Sequence, residues 1–266
     1  MLERTCSALL RCAAHGEDYR AYLALPEGEA PAGGWPVLYL LDATGAFGTC
    51  VEALRRMGRR PLATGVAPMA VVGLAAPDGY DVARRQRDYT TPRADSGDRP
   101  GANGGAELFL DFLERQVKPW AAGQVPVDSG RQTLCGHSLA GFFTLWVLAT
   151  HPAAFRNYAA ISPSVWWDRP ALLEAALEPP ADRRAVIAMG EWEDELPPWQ
   201  KAGPDAASVL ARRQARGMVA GARAVAARLE TVLGGDNTRF VLLPEEDHAS
   251  IVSAAMPRVL RLASQS

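Results

Sequence analysis

Apolar and polar positions alternate in blocks along the whole chain. Stretch 19–26 (YRAYLALP) alternates polar and apolar residues, the period-two signature of a half-buried strand, and reads as an early antiparallel edge strand. Segments 36–42 (PVLYLLD) and 69–75 (MAVVGLA) are unbroken apolar runs, as strands covered on both faces require. Shorter runs at 132–135, 157–162, 185–190 and 239–244 continue the series. Between them lie helical patterns at 50–60, 106–120, 142–150, 206–233 and 251–262. The fourth of these carries Met218, Ala222, Val225, Leu229 and Val232 along one side, with a break expected at Gly217 or Gly221. Alternation of this kind predicts an α/β architecture, a mostly parallel central sheet with helices on both faces.

No internal repeat or composition break divides the chain, so one domain is expected over 1–266. Segment 78–103 is polar and rich in Gly, Pro, Asp and Arg, and reads as a long loop of the kind that carries function. The Pro-rich stretches within 166–204 read as loops or a small cap. Hydrophobic residues make up 48% and charged residues 22%, with a formal net charge of −2. That balance points away from a general nucleic-acid or membrane-surface binder and towards a small-molecule partner. No run approaches the roughly 18 apolar residues of a membrane span. Glu3, Arg4 and Arg11 interrupt the first fifteen residues, so a secretory leader is not expected there. The cysteines (Cys6, Cys12, Cys50, Cys135) are scattered, and Cys6, Cys12 and His15 lack a fourth ligand at a usable spacing. Free thiols in a reducing cytoplasm are expected, with no metal and no cofactor.

The sharpest chemical signal is GHSLAG (136–141), which follows an apolar run and opens a helical one. This is the strand–turn–helix setting of a nucleophile elbow, with Ser138 as nucleophile. Gly136 provides the small residue the turn needs on one side; Ala140 stands where glycine is usual on the other. A serine hydroxyl needs a base. His15 lies before the first expected strand, His137 is inside the elbow with its ring expected to point elsewhere, and His151 ends the elbow helix. His248 alone follows the final strand, where the order Ser, acid, His places the base. GEWEDE (190–195) offers the acid: Glu193 is the first choice, with Glu191 and Asp194 as alternatives. Backbone donors for an oxyanion are expected at Leu139 and at Ala43 or Thr44.

GGWPVLYLLDA (33–43), DVARRQRDYTTP (81–92), GGAELFLDFLE (104–114), GHSLAGFF (136–143), SPSVWWD (162–168) and EDHAS (246–250) together resemble one family, the esterase-D-like hydrolases of the α/β-hydrolase fold. Within it they resemble the esterases of trilactone siderophores such as enterobactin and salmochelin. The resemblance implies Ser138 and His248 as the catalytic pair and Leu139 and Ala43 as oxyanion donors. It also implies a basic loop near the substrate around Arg85. A ferric tris-catecholate is anionic and aromatic, so Arg84, Arg85, Arg87 and Arg93 are candidate cations, and Trp166 and Trp167 candidate stacking surfaces. The competing reading pairs those arginines with Asp81, Asp88 and Asp95 and puts Trp166 in the core. The function implied is ester hydrolysis through an acyl-enzyme on a trilactone siderophore, with the ferric siderophore as a candidate partner. The alternatives are a general carboxylesterase or thioesterase, and a catalytically silent binding protein.

Overall fold

In a computed structural model of the chain, residues 2–93, 101–180 and 182–265 are described. Among these, β1 (Thr5–Cys12), β2 (Glu17–Ala24), β3 (Trp35–Leu41), β4 (Ala70–Ala75), β5 (Val127–His137), β6 (Asn157–Ile161), β7 (Arg184–Gly190) and β8 (Thr238–Leu243) form one sheet. Its order is β1-β2-β4-β3-β5-β6-β7-β8. β1, β2 and β4 pair antiparallel, and every pairing from β4 through β8 is parallel. The helices are α1 (Ala43–Gly58), α2 (Pro61–Thr64), α3 (Val82–Asp88), α4 (Ala106–Phe112), α5 (Lys118–Gln124), α6 (Leu139–Thr150), α7 (Arg169–Leu173), α8 (Ala206–Arg216), α9 (Met218–Leu233) and α10 (Ile251–Ser264). This is the mostly parallel, helix-covered sheet that the alternating pattern implied, in the α/β-hydrolase form that the family resemblance implied.

Each parallel strand sends alternate side chains to opposite faces, and both faces are covered. Val37, Tyr39 and Leu41 of β3 pack with α4, α5, α6 and α9 on one side, while Leu38 and Leu40 pack with α1 and α10 on the other. That is why these strands read as continuous apolar runs. Residues 140–149 of α6 are buried on every side, beneath the centre of the sheet. Nucleophile elbow and core share this helix, so the turn at its start is fixed by packing. The helical stretch after β7 breaks at Gly217, whose φ of 54° is the left-handed conformation glycine tolerates.

Two expectations fail here. Stretch 19–26 is not the sheet edge: β1 lies outside β2, paired from Thr5↔Ala24 to Cys12↔Glu17, and His15 sits in the turn between them. An edge strand buries little, and β1 is largely exposed, so its apolar period is weak. Segment 78–103 is not wholly loop either. Arg84, Arg85 and Arg87 lie in α3, which Asp81 caps by accepting the N–H of Arg84 at 2.9 Å; residues 94–100 lie outside the described residues. Region 166–204 holds α7, β7 and two single-turn helices at Glu191–Glu193 and Pro198–Gln200. Among the described residues, no helix is long and apolar enough to cross a membrane.

Candidate active site

Neighbouring strands β3, β5, β6 and β7 all end at one edge of the sheet, and the site is assembled from the turns that leave them. β5 runs into Ser138 at φ 61°, ψ −118°, a strained setting for a residue with a side chain. The turn is possible because Gly136 has no Cβ: one built there would stand 2.2 Å from the carbonyl oxygen of Ala140. Ala140 is accommodated, fully buried, on that glycine's open side. The N–H of Ser138 donates to the Ile161 carbonyl at 3.0 Å, tying the elbow to β6.

His248 lies between β8 and α10. Asp247 braces its loop, accepting the N–H groups of Ala249 and Ser250 at 2.8 and 2.9 Å. Those donors hold the Asp247 carboxyl below its ordinary range. The His248 imidazole spans two partners. Its Nε2 is 3.0 Å from Ser138 Oγ, and its Nδ1 is 2.9 Å from Glu193 Oε2 and 3.1 Å from Oε1. With Nδ1 protonated towards the carboxylate, Nε2 is left to accept the serine proton. Glu193 is only 3% exposed.

The two alternatives for the acid, Glu191 and Asp194, are engaged elsewhere. Glu191 accepts the N–H of Glu245 at 2.8 Å, joining the acid turn to the histidine loop. Asp194 accepts the N–H groups of Met218 and Val219 at 2.7 and 3.1 Å and so caps α9. Gly190 lets the two turns meet, since a Cβ there would lie 2.4 Å from the Glu246 carbonyl oxygen.

Ala43 and Leu139 are the first residues of α1 and α6. N–H groups in a first turn have no partner within the helix, and the helix dipole adds positive potential around them. Because β3 and β5 are adjacent, the two helix starts are adjacent as well. Thr44 is second in α1 and exposed.

The basic segment departs from expectation. Arg85 is 8% exposed and ion-paired with Asp42, its Nη2 2.8 Å and its Nε 2.9 Å from Oδ2. Its Nη1 donates to the Tyr80 hydroxyl at 2.6 Å. Arg87 bonds Glu17 and Asp88, each at 2.8 Å, and Arg84 bonds Glu17 and Asp81. Arg84 and Arg87 therefore fasten α3 to the β1–β2 hairpin, and Arg85 braces the strand end before Ala43. Arg85 and Arg87, expected as substrate cations, are buried and half-buried ion-pair partners. A polar sequence cannot reveal that its charges are satisfied locally. Asp95, the remaining expected partner, lies outside the described residues.

A cavity of about 610 Å³ opens nearby, walled by Arg93, Trp166, Trp167, Arg169 and Arg216. The Arg216 guanidinium lies 4.6 Å from the Trp166 ring centre and that of Arg93 5.5 Å from Trp167. Asp168 also lines it, with its carboxylate engaged by Thr91 and the N–H of Ala171. Trp167 is mostly buried, its indole N–H donating to the Thr91 carbonyl at 3.3 Å. Arg169 and Arg216 were missed in the sequence because they come from α7 and α8, far apart along the chain.

His137 was expected to point away. Instead its ring lies 4.6 Å from that of His248. Burial, and next the His248 imidazole, push its pKa down to about 3, so it stays neutral beside that ring. Ser162 and Ser164 also join this cluster, and neither was singled out in the sequence. Ser162 donates to Glu193 Oε1, and Ser164 Oγ is 3.3 Å from Ser138 Oγ. The available signal was a Ser-x-Ser turn directly after a buried strand.

The Esterase family model, described as "Putative esterase", matches residues 12–239. The ferri-bacillibactin esterase BesA of Bacillus subtilis is 44% identical over 168 residues, 59% of this chain and 57% of that protein. The match thus spans little more than half the length of that relative. The siderophore triacetylfusarinine C esterase of Aspergillus fumigatus is 29% identical over 268 aligned residues, 93% of this chain and 89% of that one. The crystal structure of the BES protein from Bacillus cereus superposes with a TM-score of 0.84 at 28% identity, covering 100% of this chain and 97% of that one. Fold, elbow and extent of the family match agree: the chain belongs to the Esterase family.

Proposed function

We propose that the chain is a serine ester hydrolase that opens trilactone siderophores through an acyl-enzyme. The observation that carries the chemistry is the His248 imidazole, within hydrogen-bond reach of both Ser138 Oγ and the Glu193 carboxylate. In this reading Ser138 Oγ attacks a lactone carbonyl while His248 Nε2 takes its proton. The backbone N–H groups of Leu139 and Ala43 bind the oxyanion. Collapse breaks the lactone C–O bond, and His248 returns the proton to the departing alkoxide, leaving Ser138 acylated. Water, deprotonated by His248, then attacks the acyl carbon and releases the acid and free Ser138.

The siderophore assignment draws on the relatives named above and on the arginine–tryptophan cavity, which suits an anionic, aromatic ligand. Free cysteines, Cys6 exposed among them, support a reducing compartment, the cytoplasm, as the place of action. A second reading, a general carboxylesterase for small acyl groups, draws on a cavity of about 250 Å³ beside Asp42 and His137. It is lined largely by apolar side chains such as Leu40, Val252 and Met256.

The test compares hydrolysis of a ferric tris-catecholate trilactone with that of an uncharged p-nitrophenyl ester. Arg216→Glu should raise KM for the ferric substrate about tenfold, the equivalent of roughly 1.4 kcal/mol. The small ester should be unaffected, and the difference should shrink as salt rises. Equal effects on both substrates would remove the cavity from substrate binding. A wild-type protein that turns over only the small ester would favour the second reading.

A further inference from the structure

We propose that Ser162 is a positioning residue for ester hydrolysis, holding the Glu193 carboxylate in the plane that His248 requires. The role rests on Glu193 acting as the acid of the triad.

Ser162 follows the last residue of β6 and has no exposed surface. Its φ of 41° lies in the left-handed region, where glycine would sit without strain. A serine here gives up conformational ease, and what it adds is a hydroxyl. The backbone is held by its N–H, which donates to the Ala188 carbonyl of β7 at 2.7 Å. The hydroxyl donates to Glu193 Oε1. A carboxylate removed from water needs such donors. With Oε1 engaged by Ser162, Oε2 makes the shorter contact to His248 Nδ1, 2.9 Å against 3.1 Å. The carboxylate plane is thereby set by two donors from different strands' turns rather than by the histidine alone.

The same turn grips the other end of the triad. Two residues on, Ser164 donates its backbone N–H to the Ser138 carbonyl at 3.0 Å, and its hydroxyl lies against Ser138 Oγ. Residues 162–164 therefore register the acid and the nucleophile to one rigid piece of backbone, while the histidine arrives on a separate loop.

The experiment is a double-mutant cycle on the full chain with an uncharged p-nitrophenyl ester. Ser162→Gly accepts the positive φ and Ser162→Ala keeps the Cβ, so together they separate hydroxyl loss from backbone strain. Both should lower kcat on the order of tenfold, as losing a hydrogen bond to a charged group does, with KM unchanged. In a Glu193→Ala background the same Ser162→Gly change should cost less than about twofold, because no carboxylate remains to be positioned. Equal losses in the two backgrounds, or full activity in both single Ser162 variants, would overturn the role while leaving the triad intact. Full activity of Glu193→Ala alone would overturn the triad reading, and this role with it.

Discussion

Arg85 and Asp42 form an ion pair at the foot of the nucleophile elbow, joining α3 to the last turn before Ala43. Desolvation pulls the Asp42 carboxyl above its ordinary range, and the charge and hydrogen bonds of Arg85 oppose that pull. Arg85→Met should therefore leave a carboxylate with no counter-charge and destabilise the fold by about 3–5 kcal/mol. Adding Asp42→Asn should recover much of the loss, since a neutral amide needs no cation. Urea unfolding at neutral pH reads both, and a single variant within about 0.5 kcal/mol of wild type would show the pair to be unimportant. The surviving activity of Arg85→Met should fall equally on charged and uncharged esters, unlike that of Arg216→Glu.

Ser138→Ala should lose on the order of 10⁴ to 10⁶ in kcat, because triad members act as a unit. The variant should unfold at nearly the wild-type denaturant concentration, since the hydroxyl belongs to a turn and not to the packed core. A fluorophosphonate should label the wild-type protein at Ser138 and leave the variant unmodified. Labelling at another residue, with turnover retained, would move the nucleophile elsewhere.

His137 makes stability depend on pH. Its pKa in the folded protein, about 3, lies below the ordinary 6.5, so between these values the unfolded chain binds the extra proton. Stability from this group is complete above pH 6.5 and drains as pH falls towards 3, at up to about 1.4 kcal/mol per pH unit. His15, lowered first by burial and second by Arg87, slopes in the same direction. His137→Gln stays neutral in both states and should flatten the decline between pH 6.5 and 5 relative to wild type. Denaturant midpoints across that range measure it. Parallel slopes for the two proteins would mean that His137 titrates normally in the fold.

What the sequence by itself determined is whatever a local pattern imposes. Runs such as 36–42 and 69–75 are apolar throughout because both faces of a parallel strand are covered, and that is legible one strand at a time. The elbow is legible for the same reason: glycine at 136, serine at 138 and an apolar helix to follow are demanded by a single turn. The place of His248 after the last strand needed only the order of elements. The sequence ranked Glu193 first without separating it from Glu191 and Asp194; the tertiary structure brings Glu193 to His248, because three acids within four residues differ in which neighbouring element each one meets. It also decided that Arg85 and Arg87 are spent on Asp42, Glu17 and Asp88, whereas Arg169 and Arg216 converge on a cavity. β1 went unread because an exposed edge buries too little to show a period. The position of Ser162 beneath Glu193 depends on where β6 ends beside β7, a register between strands that no window along the chain contains.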